Sequence, residues 1–229
     1  MSHAMHALLA LLAVSIGVFT TLFVLRRVFW LPYVWAPAIA AIASRRATEG
    51  EVVFTGSSSI TFWSTLPRDM APLRAVNCGF GGSMIAHATH YLPRIAPVRP
   101  SAVVLSAGSN DVAWGKSAER VAADLDAFVA RLHALHPGVP LYFVSINRAP
   151  SRRSSWGRFD AINAHARSLA ARDPLVRYID ASAAIYDASG LAVPGTFGFD
   201  RLHMTPDGYR RWTRVIQPRL LADLPAARA

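Results

Sequence analysis

Cysteine is nearly absent. Cys78, in "VNCGFGG", is the only one, so no internal disulfide can form and there is no CxxC pair for a metal or a redox step. Lysine is as scarce: of 24 basic residues only Lys116 is lysine, and the formal charge of +10 reflects an arginine-rich, alanine-rich usage. Acids are missing from residues 1–46, which hold Arg26, Arg27, Arg45 and Arg46; the remaining 20 basic residues face 14 acidic ones, a modest excess. Charge alone therefore does not call for nucleic acid as a partner. Repeats and low-complexity segments are also absent. The pairs His87/His90 and His133/His136 have no clustered Cys or acid beside them, so no metal is expected. "GFGGSM" lacks the third glycine of a dinucleotide fingerprint, and "GSSSI" lacks the last glycine of the GxSxG elbow. "GKS" at 115–117 has Asn110 where a phosphate-binding loop needs glycine. No cofactor is expected.

One long uncharged run is present. Residues 7–25, "ALLALLAVSIGVFTTLFVL", are 19 residues without charge. As a helix rising 1.5 Å per residue they come close to spanning a hydrocarbon core of about 30 Å. No basic n-region precedes them, so the expectation is an uncleaved anchor rather than a signal peptide or a core helix. The predicted organisation is a transmembrane anchor over 1–27, a connecting helix or linker over 28–50, and a single domain over 51–229. Membrane lipid would be a partner of the anchor. The four arginines that follow the run lean the domain toward the cytoplasmic side of a single-pass protein, the periplasmic side remaining open. Trp35, Ile39 and Ile42 recur at helical spacing after Pro32, which suits a short helix rather than a second span. Oligomeric state is not readable.

From residue 51 short apolar β-branched runs alternate with helical patterns. The strands are expected at "EVVFT" (51–55), "RAVN" (74–77), "SAVVLSAG" (101–108), "PLYFVSI" (140–146) and "LVRYID" (175–180). Helical stripes fall at 117–136 and 157–172, and a last helix starts after a Thr-Pro cap at 205–206. Strand–helix alternation implies crossover units, hence an α/β fold with a parallel sheet and helices on both faces.

In such a sheet ligands bind beyond the carboxyl ends of the strands, and the polar residues gather there. "GSSS" follows the first strand, "NCGFGGS" the second, "GSND" the third, and "DRLH" precedes the last helix. A serine hydroxyl needs a neighbouring base to become a nucleophile, and His203 can be that base. Asp200 stands three residues earlier, close enough to fix the imidazole tautomer. Glycines 79, 81 and 82 permit close backbone approach, and Asn110 can aim an amide donor at an oxyanion. This chemistry does not choose among Ser57, Ser58 and Ser59.

The ordered motifs resemble the SGNH hydrolase superfamily, the GDSL-type esterases and lipases, over about residues 50–222. "GSSSITFW" resembles a bacterial branch of it. The resemblance implies a flavodoxin-like three-layer α/β/α sandwich with a five-stranded parallel sheet. It implies Ser58 as nucleophile, Asp200 and His203 as its partners, and an oxyanion hole from Ser58, Gly82 and Asn110. Ser57 stands where the GDSL pattern has Asp. The implied activity is hydrolysis of a small-molecule carboxylic ester without metal or cofactor. Transfer of the acyl group to an alcohol, deacylation of an envelope substrate, and a non-catalytic scaffold are the alternatives. The basic loop "NRAPSRRSSWGRF" (147–159) places Arg152, Arg153 and Arg158 as expected substrate contacts for an anionic ester.

Overall fold

The computed structural model describes residues 3–30, 32–45 and 47–224, apart from the side chains of 3, 4, 22, 23, 25–30 and 32. Two compact units divide it, Met1–Pro37 and Ala38–Ala229. The first holds α1 (His3–Trp30) and a 3-10 turn (Pro32–Trp35). Leu8, Leu11 and Phe19 of α1 are exposed. Among the described residues no helix is long and apolar enough to cross a membrane, so the expected transmembrane anchor is not found there. Positions 22, 23 and 25 of the expected span lie outside the described side chains.

The second unit takes in most of α2 (Ala36–Ser44), which buries Ile39. Next come β1 (Val52–Gly56), the single-turn α3 (Ser58–Thr61) and α4 (Leu66–Asp69), then β2 (Ala75–Gly79) and α5 (Ile85–Ile95). After these follow β3 (Ala102–Ser106), α6 (Ser109–Ala113) and α7 (Ala118–Leu135). The chain closes with β4 (Leu141–Val144), α8 (Trp156–Arg172), β5 (Val176–Ile179) and α9 (Pro206–Asp223). Each expected strand is present within two residues at either end. Thr205 caps α9 as its sequence predicts, accepting the Gly208 N–H with Pro206 in the first turn.

All five strands are parallel, in the order β2-β1-β3-β4-β5. β1, β3 and β4 are buried at every position, which is why they read as unbroken apolar runs rather than alternating ones. Alternate residues Val52, Phe54, Val104, Tyr142 and Val144 share one core with Trp212, Ile216 and Leu220 of α9. Helices α5, α7 and α8 pack side by side. The strand order reverses between β1 and β3. A crevice therefore opens at their carboxyl ends, the point where doubly wound sheets bind ligands.

Candidate active site

β1 ends at Gly56, with φ +132°, and a Cβ there would stand 2.0 Å from the Ser106 carbonyl oxygen. Only glycine lets the ends of β1 and β3 approach this closely. The Ser57 N–H then donates to the same Ser106 oxygen at 3.1 Å, and Ser58 opens α3 at the mouth of the crevice. One turn of helix cannot hold itself, so its neighbours hold it. Asn77 of β2 donates its amide to Ile60 O (2.6 Å) and Trp63 O (3.2 Å). Trp63 is fully buried, donates to Asp69 at 2.8 Å and stacks on Tyr209 of α9, ring centroids 5.3 Å apart. Ser57 is buried, whereas Ser58 is half-buried with its Oγ 3.1 Å from His203 Nε2.

His203 is delivered by the turn before α9. Gly198 N–H donates to His203 O at 2.8 Å, and Phe197 bridges to Met204. Arg201 takes a left-handed φ of 56° to close this turn. Asp200 Oδ2 lies 2.6 Å from His203 Nδ1, while Oδ1 accepts the Leu202 and His203 N–H groups at 3.0 and 3.1 Å. These backbone donors first, and the imidazole after them, lower the Asp200 carboxyl to about 2, below the usual carboxylate value. Ser58, His203 and Asp200 thus form one hydrogen-bonded line. The Phe62 ring meets the imidazole edge to face, 4.9 Å between centroids, and is half exposed beside it.

Asn110 and Gly82 come to the same mouth. Gly82 has φ +79° in the turn between β2 and α5. Asn110, on α6 after β3, donates from Nδ2 to Ser83 O at 3.1 Å; this amide carries a second hydrogen that the bond does not use. Its Oδ1 accepts from Arg152 Nη2 at 2.9 Å, and Arg152 Nη1 also donates to the Ser109 hydroxyl at 3.0 Å and to the Ser109 carbonyl. Arg152 therefore orients the Asn110 amide, and burial lowers its guanidinium below the ordinary arginine value. Arg153 is exposed and stacks on Trp156, its Cζ 5.5 Å from the ring centroid. Arg158 is exposed in the first turn of α8 and donates to the Ser155 hydroxyl at 3.0 Å. The three arginines expected to act together thus have three different neighbourhoods.

A buried ionic group beneath the site escaped the sequence analysis. Lys116 Nζ donates to Asp111 Oδ1 and Asp124 Oδ2, each at 2.7 Å. Asp111 is fully buried and also accepts the Ile85 N–H, the first of α5, at 3.3 and 3.2 Å. Burial pushes the Asp111 carboxyl up, against the pull of the Lys116 ammonium. Asp111 so ties α5, and the Gly82 turn just before it, to the helix that carries Asn110. A compact ammonium with three donors can serve both carboxylates at once. The one signal in the sequence was the chain's single lysine, five residues after Asp111.

The GDSL-like lipase/acylhydrolase family matches residues 47–211, well over half of the chain. No curated protein sequence matches it. Several solved structures share the fold. A candidate acylhydrolase from Bacteroides fragilis aligns at TM-score 0.69 and 20% identity, over 83% of this chain and 95% of its own. A GDSL-like lipase from Bacteroides thetaiotaomicron aligns at 0.65 and 20%, over 86% and 100%. A family 3 carbohydrate esterase from Clostridium thermocellum aligns at 0.63 and 15%, over 80% and 100%. At these identities the structures show the fold alone. The chain belongs to the GDSL-like lipase/acylhydrolase family, and it is a hydrolase acting on esters.

Proposed function

We propose that the chain is a serine esterase working through an acyl-enzyme, with Ser58 as nucleophile. The observation that carries this reading is the line Ser58 Oγ–His203–Asp200, at 3.1 and 2.6 Å, standing at the strand-order reversal. His203 takes the Ser58 proton as Oγ attacks the ester carbonyl. Asp200, held ionised, fixes the tautomer and stabilises the imidazolium. The carbonyl oxygen becomes an oxyanion facing the Ser58 and Gly82 N–H groups and the second Asn110 amide hydrogen. His203 then gives its proton to the leaving alkoxide, releasing the alcohol. A water, deprotonated by His203, attacks the acyl carbonyl and frees Ser58 and the acid. Labelling with a fluorophosphonate tests the assignment: peptide mass spectrometry should place the adduct on Ser58. An adduct on Ser57 or Ser59, or none, would refute it.

Single-pass membrane attachment with the catalytic domain on the cytoplasmic side rests on the sequence alone, on the uncharged run and the arginines after it. Alkaline extraction of membranes from cells expressing the full chain tests it. Release into the supernatant would overturn it.

A further inference from the structure

A cavity of about 280 Å³ lies beside the DxxH turn, lined by Arg148, Arg153, Arg201, Trp156, Tyr186 and Leu191, with Pro150 and Ala192 completing it. Its wall holds three arginines and no carboxylate. Arg148 is already neutralised, gripping Asp160 through two bonds at 2.8 and 2.7 Å. Arg153 and Arg201 have no carboxylate partner among the described residues. The cavity so carries about two uncompensated positive charges between aromatic walls. Stacking on Trp156 pre-orders the Arg153 guanidinium, which lowers the entropy lost when it grips an anion. The loop that carries these groups is fastened to the catalytic turn, since Ser151 N–H donates to Arg201 O at 3.1 Å.

We infer that this cavity is a subsite for an anionic group, a phosphate or a carboxylate, on the alcohol portion of the ester. The inference rests on the esterase reading above. His203 has to protonate the leaving oxygen, so the alcohol lies on the His203 side of the scissile bond, and Arg201 is two residues from His203 in the same turn. The volume falls just below the range of about 300–1,000 Å³ usual for ligand pockets. It suits a compact charged head with a few carbons and excludes a long acyl chain. Paired N–H donors of a guanidinium match the oxygens of either anion.

Matched acetate esters test the idea: acetylated glycerol 3-phosphate, O-acetyl glycolate and neutral propyl acetate. The wild type should show a higher kcat/KM for one or both anionic esters than for propyl acetate. In Arg153→Gln that charged-to-neutral ratio should fall about tenfold or more, as loss of a charge-assisted bond requires. Arg131→Gln, a change to an exposed arginine on α7, should leave it unaltered. The phosphate and glycolate arms decide which anion is preferred. No preference for either anion overturns the inference, as does an unaltered ratio in Arg153→Gln. A preference for a charge on the acyl side instead, read with 4-nitrophenyl hemisuccinate, overturns the placement. Should no ester be hydrolysed at all, the esterase reading fails. Calorimetric titration with inorganic phosphate then judges the cavity by itself: binding weakened in Arg153→Gln supports it, and no binding refutes it.

Discussion

Lys116→Met should destabilise the protein by about 3–5 kcal/mol near pH 8, the usual cost of removing one partner from a buried ion pair. Methionine keeps the length of the stem and removes the ammonium with its N–H donors. What it leaves behind decides the magnitude. Lys116 and Asp111 expose 3% and 0% of their side chains, so bulk solvent does not reach the Asp111 carboxylate. Asp124 retains Arg120 at 3.2 Å, but that arginine is 67% exposed and offsets little. Set against a typical total of about 5–15 kcal/mol, the loss is about a fifth or more of the fold's stability. Proton uptake limits it. Burial already pushes the Asp111 carboxyl up, and without the ammonium it moves further. Between the unfolded carboxylate pKa of about 3.9 and that raised value, the folded variant binds a proton that the unfolded chain lacks. Its stability then falls as pH rises. Urea unfolding at pH 5 and pH 8, with unchanged m-values, should show the smaller penalty at pH 5. A loss under about 1 kcal/mol at pH 8, or a larger loss at pH 5, would refute this account of the buried group.

The remaining predictions concern the site itself. Ser58→Ala should abolish ester hydrolysis, and His203→Ala should be about as damaging, because residues that act as a unit do not lose activity additively; full activity in steady-state assays of either would end the proposal. Asn110→Ala should lower kcat by about 10²–10³ with little change in KM, as for a donor used chiefly in the transition state. Arg152→Ala should show the same kcat-weighted pattern at smaller size even on uncharged esters, since it orients Asn110; a pure KM effect confined to anionic esters would show that it binds substrate instead. Asp200 should titrate near 2 by carboxyl NMR; its contribution to stability is present above the unfolded value near 3.9 and lost as pH falls toward 2. A midpoint above 4 would contradict its backbone bonding.

The strands were legible because the sheet buries them. "VVF" and "AVVL" have only apolar neighbours to meet, so their runs survive as a signal between polar turns. The short helices were not. α3, α4 and α6 have four or five residues, too few for a 3.6-residue period to repeat. α5 carries Pro93 and two histidines, which blur its apolar stripe. The polar motifs were visible as strand-end clusters, yet residue chemistry left three serines open. Their contacts distinguish two of them: Ser57 is buried with its N–H on Ser106 O, and the Ser58 hydroxyl faces His203.

The arginines show why a basic loop resists reading from composition. Arg152, Arg153 and Arg158 were grouped because they lie within seven residues and share a charge. A charge acts over its nearest dipoles, however, and these are supplied by segments far away in the chain. Arg152 meets Asn110 across 42 positions and orients its amide. Arg153 meets an aromatic face, which leaves its donors open to a ligand. Arg158 donates to a neighbouring serine on its own helix turn. Arg201, which no loop composition would have singled out, joins Arg153 at the cavity because a left-handed residue closes the turn there. Net charge was therefore a poor guide to what each arginine does. The distribution of carboxylates is the better one: Asp160 occupies Arg148, whereas Arg153 and Arg201 line the cavity without an acid among its walls.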